Sequence, residues 1–241
     1  DRPLLTRRIS AKLTRGLWSQ LDEGRGHSRG GSMMSKFPNK SYQTAGEYLI
    51  AYSNAIRDAL GTVDSDQVQQ AADVLEKAVE NRATIFVCGN GGSAAIAGHF
   101  TCDHIKGVAT GTNLHPKVIS LSSNMELITA IANDISYVKI FEYQLDSLAT
   151  AGDVLVTISS SGSSPNILAA VDWARAHNVK VIAFTGFGGG DSRKLADVSL
   201  HVDTANYGIV EDVHQSLMHI LAQYLRQKHL TDPASIGGVK F

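Results

Sequence analysis

Cysteine is nearly missing from this chain: Cys88 and Cys102 are the only two in 241 residues. Both fall inside expected core elements, so no disulfide framework organises the fold, and the composition suits a reducing cytoplasmic setting. Charge of one sign is lacking too. With 22 Lys and Arg against 23 Asp and Glu the formal net charge is -1. No global field therefore draws the protein to nucleic acid or to an anionic membrane, and any anion must be recognised locally. No apolar run is long enough to span a bilayer. What is present, 43% hydrophobic and 19% charged residues, is ordinary for a globular protein and allows one substantial core.

Residues 1–40 differ from the rest. They hold nine Lys and Arg (Arg2, Arg7, Arg8, Lys12, Arg15, Arg25, Arg29, Lys36, Lys40) against Asp1, Asp22 and Glu23, with a Gly/Ser-rich piece over 24–32. They are expected to be a disordered or non-native extension, with Met33 or Met34 as a candidate start; an Arg-rich, acid-poor organellar transit peptide or a nucleic-acid arm are the alternatives. The folded part is expected to begin near Tyr42, leaving 41–241 as one domain.

Two amphipathic helices are predicted first, over 45–60 and 65–81. Tyr48, Leu49, Tyr52, Ile56 and Leu60 recur at helical spacing in one, and Val68, Ala71, Ala72, Leu75 and Val79 in the other. Strand-like runs at 83–87, 117–121, 153–158, 180–185 and 198–202 then alternate with helix-like runs at 94–105, 125–132, 138–148 and 166–176, and a helix over 210–228 closes the series. Such alternation predicts an α/β fold, a parallel sheet with helices on both faces and ligands at the carboxyl ends of the strands. The first two helices have no strand of their own to cover. Their apolar stripes need the flank of the sheet or a second subunit, which points to a homo-oligomer.

Two loops follow strands and open helices. Ser159-Ser160-Ser161-Gly162-Ser163-Ser164 precedes Pro165 and Asn166, and Gly89-Asn90-Gly91-Gly92-Ser93 precedes Ala94. Backbone N–H groups and hydroxyls at the positive end of a helix hold phosphate, so a phosphorylated small molecule is expected across the sheet edge. One helix cap needs one hydroxyl, and the first loop has five. The second could be only a tight turn. Its glycine spacing is not the dinucleotide fingerprint, because Ala94 stands where the third glycine belongs.

His99 and Asp103 are four residues apart and share a helix face; Glu211 and His219, eight apart, do so on the last helix, with His214 turned partly aside. If both helices line one cleft, two imidazoles and two carboxylates converge, a set acceptable to Zn²⁺ or to acid/base work. Taken singly, either pair is equally a capped core histidine or a surface ion pair.

The motifs Gly89-Asn90-Gly91-Gly92-Ser93-Ala94-Ala95 with His99-Phe100, Ala132-Asn133-Asp134, Gly152-Asp153-Val154-Leu155, Ser159 to Ser164 and Val181-Ile182-Ala183-Phe184-Thr185-Gly186 resemble the sugar isomerase (SIS) domain in its phosphoheptose isomerase branch. The resemblance implies a three-layer αβα sandwich around a five-stranded parallel sheet, preceded by two helices. It further implies a homotetramer with active sites at subunit contacts, one Zn²⁺ per subunit, and conversion of sedoheptulose 7-phosphate to D-glycero-D-manno-heptose 7-phosphate for lipopolysaccharide or capsule. By the same resemblance, substrate contacts fall on Asn90, Gly91, Gly92, Ser93, Asn133, Asp134, Ser159, Ser160, Ser161, Ser164 and Glu211. Metal contacts fall on His99, Asp103, Glu211 and His219, with Asp103 as base and His219 as acid.

Two positions depart from that family. Asp103 stands where Glu is common, and Glu211 where Gln is. A carboxylate one methylene shorter risks a misplacement of about 1 Å, which can cost roughly 100-fold in rate. The rival readings are a non-catalytic SIS protein that binds a partner such as the bacterial replication initiator, and a sugar-phosphate sensor.

Overall fold

Val154–Ser159 (β3) is apolar at four of its six positions, and all six residues are buried, because helices cover both faces of this strand. The computed structural model describes residues 37–238, so what is expected of 1–36 lies outside the described residues. β3 pairs with Thr84–Gly89 (β1) on one side and Lys180–Thr185 (β4) on the other. Lys117–Ser120 (β2) and Val198–His201 (β5) form the edges. Every pairing is parallel and the order is β2-β1-β3-β4-β5, the expected five-stranded sheet.

The period of two along each strand divides the core. Ile85, Val87, Val156 and Phe184 face one layer, built from Ala45–Leu60 (α1), Ser65–Glu80 (α2), Gly92–Cys102 (α3) and Tyr207–Lys228 (α8). Phe86, Cys88, Leu155 and Val181 face the other, built from Met125–Asp134 (α4), Glu142–Leu148 (α5) and Pro165–Ala176 (α6). Gly190–Leu195 (α7) bridges β4 and β5.

Of the two partners open to the first helices, α2 takes the sheet flank, burying Ala71, Ala72, Leu75, Ala78 and Val79. α1 is tied to α8 instead. Tyr52 Oη donates to Asp212 Oδ2 at 2.7 Å, and burial, reinforced by that bond, pushes the phenol up to about 12. Phe37 packs on Tyr48 and Tyr52, with ring centroids 5.2 and 5.6 Å apart, and its carbonyl accepts from Asn206 Nδ2 at 2.9 Å. This aromatic cluster brings the start of the fold forward from Tyr42 to at least Phe37.

Three elements differ from expectation. The helix over 94–105 runs α-helically from Gly92 to Cys102 and then makes one π turn, Asp103–Gly107, in which Val108 N–H donates to Asp103 O at 2.9 Å. The helix over 138–148 splits into a 3-10 turn, Tyr137–Lys139, and α5. Tyr137, Val138, Ile140 and Phe141 are β-branched or aromatic, poor formers of a continuous helix. α7 had no apolar period to announce it, since its lead-in is Gly188-Gly189-Gly190.

Two histidines are interior. His104 stacks on Phe100 and contacts its carbonyl at 3.0 Å, and His214 lies edge-on to Phe184. Burial pushes each down to about 4 from 6.5, so the fold favours the neutral rings. Their contribution is complete above pH 6.5 and is lost as pH falls toward 4, because the unfolded chain binds those protons first. The expected loss is on the order of 3 kcal/mol per ring at the bottom of that window. Urea midpoints should therefore fall between pH 6.5 and 5, ahead of most carboxylate titration, and fall less steeply in His214→Gln. A flat profile over that interval would contradict the assignment.

Candidate active site

The loop between β3 and α6 leaves the sheet at its carboxyl end with Ser159 and Ser160 buried. Gly162 N–H turns back to Ser159 O at 3.1 Å, and Gly186 N–H, from the neighbouring strand's end, donates to Ser160 O at 2.9 Å. Gly162 adopts φ +63, which a side chain would resist. Ser164 occupies the N-cap of α6, yet its hydroxyl makes no capping bond, which leaves it to a ligand. Asn90, Ser93, Ser159, Ser160, Ser161, Ser164, Tyr207 and Glu211 surround a cavity of about 140 Å³ there.

The loop between β1 and α3 is locked to the serine loop by a reciprocal amide pair. Asn90 Nδ2 donates to Asn166 Oδ1 at 2.9 Å and Asn166 Nδ2 to Asn90 Oδ1 at 2.8 Å, with Tyr137 Oη adding a third bond to Asn90 at 3.0 Å. Two sheet-edge loops are thereby made one cradle. Gly91 takes φ +54 at the N-cap of α3, where no side chain caps the helix. The Glu211 carboxylate sits over Gly92 so closely that a Cβ there would stand 2.5 to 2.7 Å from its atoms. It meets the positive end of α3, which favours a negative charge.

Further along the same two helices a second group forms. His219 Nδ1 lies 2.9 Å from Asp103 Oδ2, and His99 Nε2 lies 3.3 Å from Asp103 Oδ1. The two rings meet edge-on with centroids 4.9 Å apart. The π turn begins at Asp103 itself, and the short carboxylate nonetheless reaches both imidazoles. One ligand atom from each of His99, Asp103 and His219 falls within 4.8 Å of the others. Two imidazole nitrogens and a carboxylate oxygen are donors that a borderline divalent ion accepts, so the residues fit such an ion. Beside them lies a cavity of about 420 Å³ that Lys106 and Arg226 also line.

Three of the expected residues stand apart from the others in this chain. Glu211 does not join His99, Asp103 and His219. Gly92, against which its carboxylate lies, is seven residues from His99 on α3, a rise of about 10 Å. Asn133 and Asp134, exposed at the end of α4, hydrogen-bond to each other at 2.7 Å and line neither cavity. The expected serines, Asn90 and Ser93 do line the serine cavity, while Gly91 and Gly92 shape its edge from the backbone. Gln215 was missed. It stands four residues from both Glu211 and His219, and its Nε2 is 2.7 Å from His99 Nδ1 and 3.1 Å from His219 Nε2. The same i, i+4 rule that singled out the histidines would have found it.

A phosphate cradle and an imidazole–carboxylate cluster arranged along one helix define an α/β protein that handles a phosphorylated small molecule. The SIS domain model matches residues 48–186. The phosphoheptose isomerase of Helicobacter pylori is 32% identical over 179 residues, 74% of this chain and 92% of that protein. A probable phosphoheptose isomerase of Thermoplasma acidophilum is 37% identical over 157 residues, 65% of this chain and 86% of that one. Among solved structures, a phosphoheptose isomerase from Francisella tularensis superposes with a TM-score of 0.70 at 31% identity, covering 76% of this chain and 96% of that one. The chain belongs to the SIS-domain family, in its phosphoheptose isomerase branch.

Proposed function

We infer that the chain is a sugar-phosphate isomerase that interconverts sedoheptulose 7-phosphate and D-glycero-D-manno-heptose 7-phosphate, the aldose that supplies heptose for lipopolysaccharide or capsule. The observation that carries this reading is the meeting of Asp103 with His99 and His219 beside a serine-lined cradle on the same helix pair. Along α8, Glu211 marks the cradle and His219 the cluster, a rise of about 12 Å. That separation favours a substrate whose phosphate and carbonyl lie at opposite ends of a long chain.

In this reading Ser159, Ser160, Ser161 and Ser164 hold the phosphate together with the N–H groups at the start of α6. The Asp103 carboxylate takes a proton from C1 of the ketose and returns it to C2, while His219 moves a proton from O1 to O2. Lys106 and Arg226 line the neighbouring cavity, where their charge favours the enediolate. A Zn²⁺ ion, one per subunit, held by His99, Asp103 and His219, would polarise the carbonyl oxygen. Asp103 has two carboxylate oxygens, so one can hold while the other accepts the proton.

We read residues 41–241 as the SIS domain and the assembly as a cytoplasmic homotetramer with active sites at subunit contacts. Leu49 and Ile50 on α1 are 64% and 67% exposed, and Met125 on α4 is 64% exposed, apolar surface that such contacts would cover. Cys88 and Cys102 are unpaired, in keeping with a reducing compartment. No helix among the described residues is long and apolar enough to cross a membrane. Incubating the protein with sedoheptulose 7-phosphate and Zn²⁺ should yield the aldose phosphate. No product above background would remove the assignment.

A further inference from the structure

The serine cradle must hold a phosphate without a cation, because no Lys, Arg or His lines it and the Glu211 carboxylate adds a negative charge. Neutral donors supply the attraction instead. The β3 loop brings Ser159, Ser160, Ser161 and Ser164, and α3 brings Ser93. From α8 only Tyr207 and Glu211 reach the cavity, and an ionised carboxylate only accepts, so the Tyr207 phenol is the one side-chain donor on that side. Two neighbouring phenols are already engaged, Tyr137 Oη with Asn90 Oδ1 at 3.0 Å and Tyr52 Oη with Asp212 Oδ2 at 2.7 Å. The Tyr207 hydroxyl has no hydrogen-bond partner among the described residues.

Although Tyr207 is 61% exposed at the mouth of the cradle, its ring is held, packing on Phe187 with centroids 4.6 Å apart. Phe187 follows Gly186, whose N–H donates to Ser160 O at 2.9 Å, and its own N–H donates to Thr204 O at 3.0 Å. It keeps φ +50, a left-handed backbone that phenylalanine rarely adopts. Adjacent residues at the end of β4 thus fix the serine loop and the tyrosine ring. We propose that Tyr207 binds the phosphate directly, closing the cradle from α8 with its phenol, and that Phe187 positions it; the proposal rests on the cradle reading above. The family resemblance implies no contact at this position. The phenol donates to a phosphate oxygen that the carbonyl shift leaves untouched, so the bond serves ground state and transition state alike.

The test is titration calorimetry of the full chain with inorganic phosphate, paired with steady-state kinetics on the sugar phosphate. Tyr207→Phe keeps the ring and removes only the hydroxyl. It should weaken phosphate binding about tenfold, as loss of a hydrogen bond to a charged group does, and raise KM for the sugar phosphate more than it lowers kcat. Phe187→Ala should weaken phosphate binding in the wild-type background and add nothing in the Tyr207→Phe background, because it acts through the phenol. Ser164→Ala is the reference for the cradle itself. Wild-type affinity in Tyr207→Phe, with a loss in Ser164→Ala, would overturn the proposal and leave the cradle standing. Full additivity of the Phe187 and Tyr207 losses would overturn the positioning role. A wild-type chain that binds no phosphate, or binding unchanged in both Ser164→Ala and Tyr207→Phe, would remove the cradle and this proposal with it.

Discussion

Asp103→Asn should retain sugar-phosphate binding and lose turnover, with kcat down by roughly 100- to 10,000-fold. Asp103 is the carboxylate shared between His99 and His219, at 3.3 and 2.9 Å. The amide keeps its volume but takes up no proton. The phosphate cradle lies elsewhere, on the β1 and β3 loops, and should still be filled. Product formation followed by NMR, together with thermal stabilisation of the variant by substrate, separates the two effects. Near-normal turnover would reassign the base. Loss of stabilisation along with turnover would mean that the carboxylate holds the ground state as well.

The second large effect concerns the loop that builds the cradle. A Cβ on Gly162 would stand 1.9 Å from Gly189 O and 2.6 Å from Gly189 C, and Gly162 holds φ +63. Backbone on both sides leaves no flexible side chain to yield, and Ser192 N–H donates to Gly162 O at 3.0 Å, which pins the contact further. Left-handed strain of about 1 to 3 kcal/mol and overpacking of similar size predict a loss of roughly 2 to 5 kcal/mol for Gly162→Ala. The serine loop relieves it by moving away from α7, so KM for the sugar phosphate should rise more than kcat falls. Urea unfolding and steady-state kinetics on the same preparation check both parts. Gly98, inside α3, where an added Cβ meets nothing within 4 Å, is the control, and Gly98→Ala should leave the urea midpoint unchanged or raise it. A Gly162→Ala protein as stable as wild type would show that the α7 contact is not what shapes the cradle.

The strands were legible because both covering layers demand apolar residues on alternate sides, as Ile85 and Phe86 or Leu155 and Val156 record. The pairing of His99 with Asp103 and its meeting with His219 were also legible, since helical spacing sets which residues share a face and the fold class sets which helices can face one cleft. The π turn was not. It carries His104, whose ring seats against Phe100 inside the core, a packing arrangement that no local periodicity encodes. The resting place of Glu211 was not legible for a similar reason: its carboxylate lies where Gly92, on another helix, lacks a Cβ. Gln215 was not legible because a neutral amide on that face carries neither the charge nor the imidazole that marks its neighbours. Asp103, a departure from the family's usual Glu, proves long enough to reach His219 at 2.9 Å.

In the proposed reaction a carbon-bound proton is moved by groups that α3 and α8 bring together. Running the isomerisation in D2O and reading the sugar phosphate by NMR tests this most directly. The account predicts deuterium at C2 of the aldose product and at C1 of recovered ketose, both lost in Asp103→Asn. Aldose formed with no solvent deuterium at C2, together with undiminished turnover by Asp103→Asn, would contradict it.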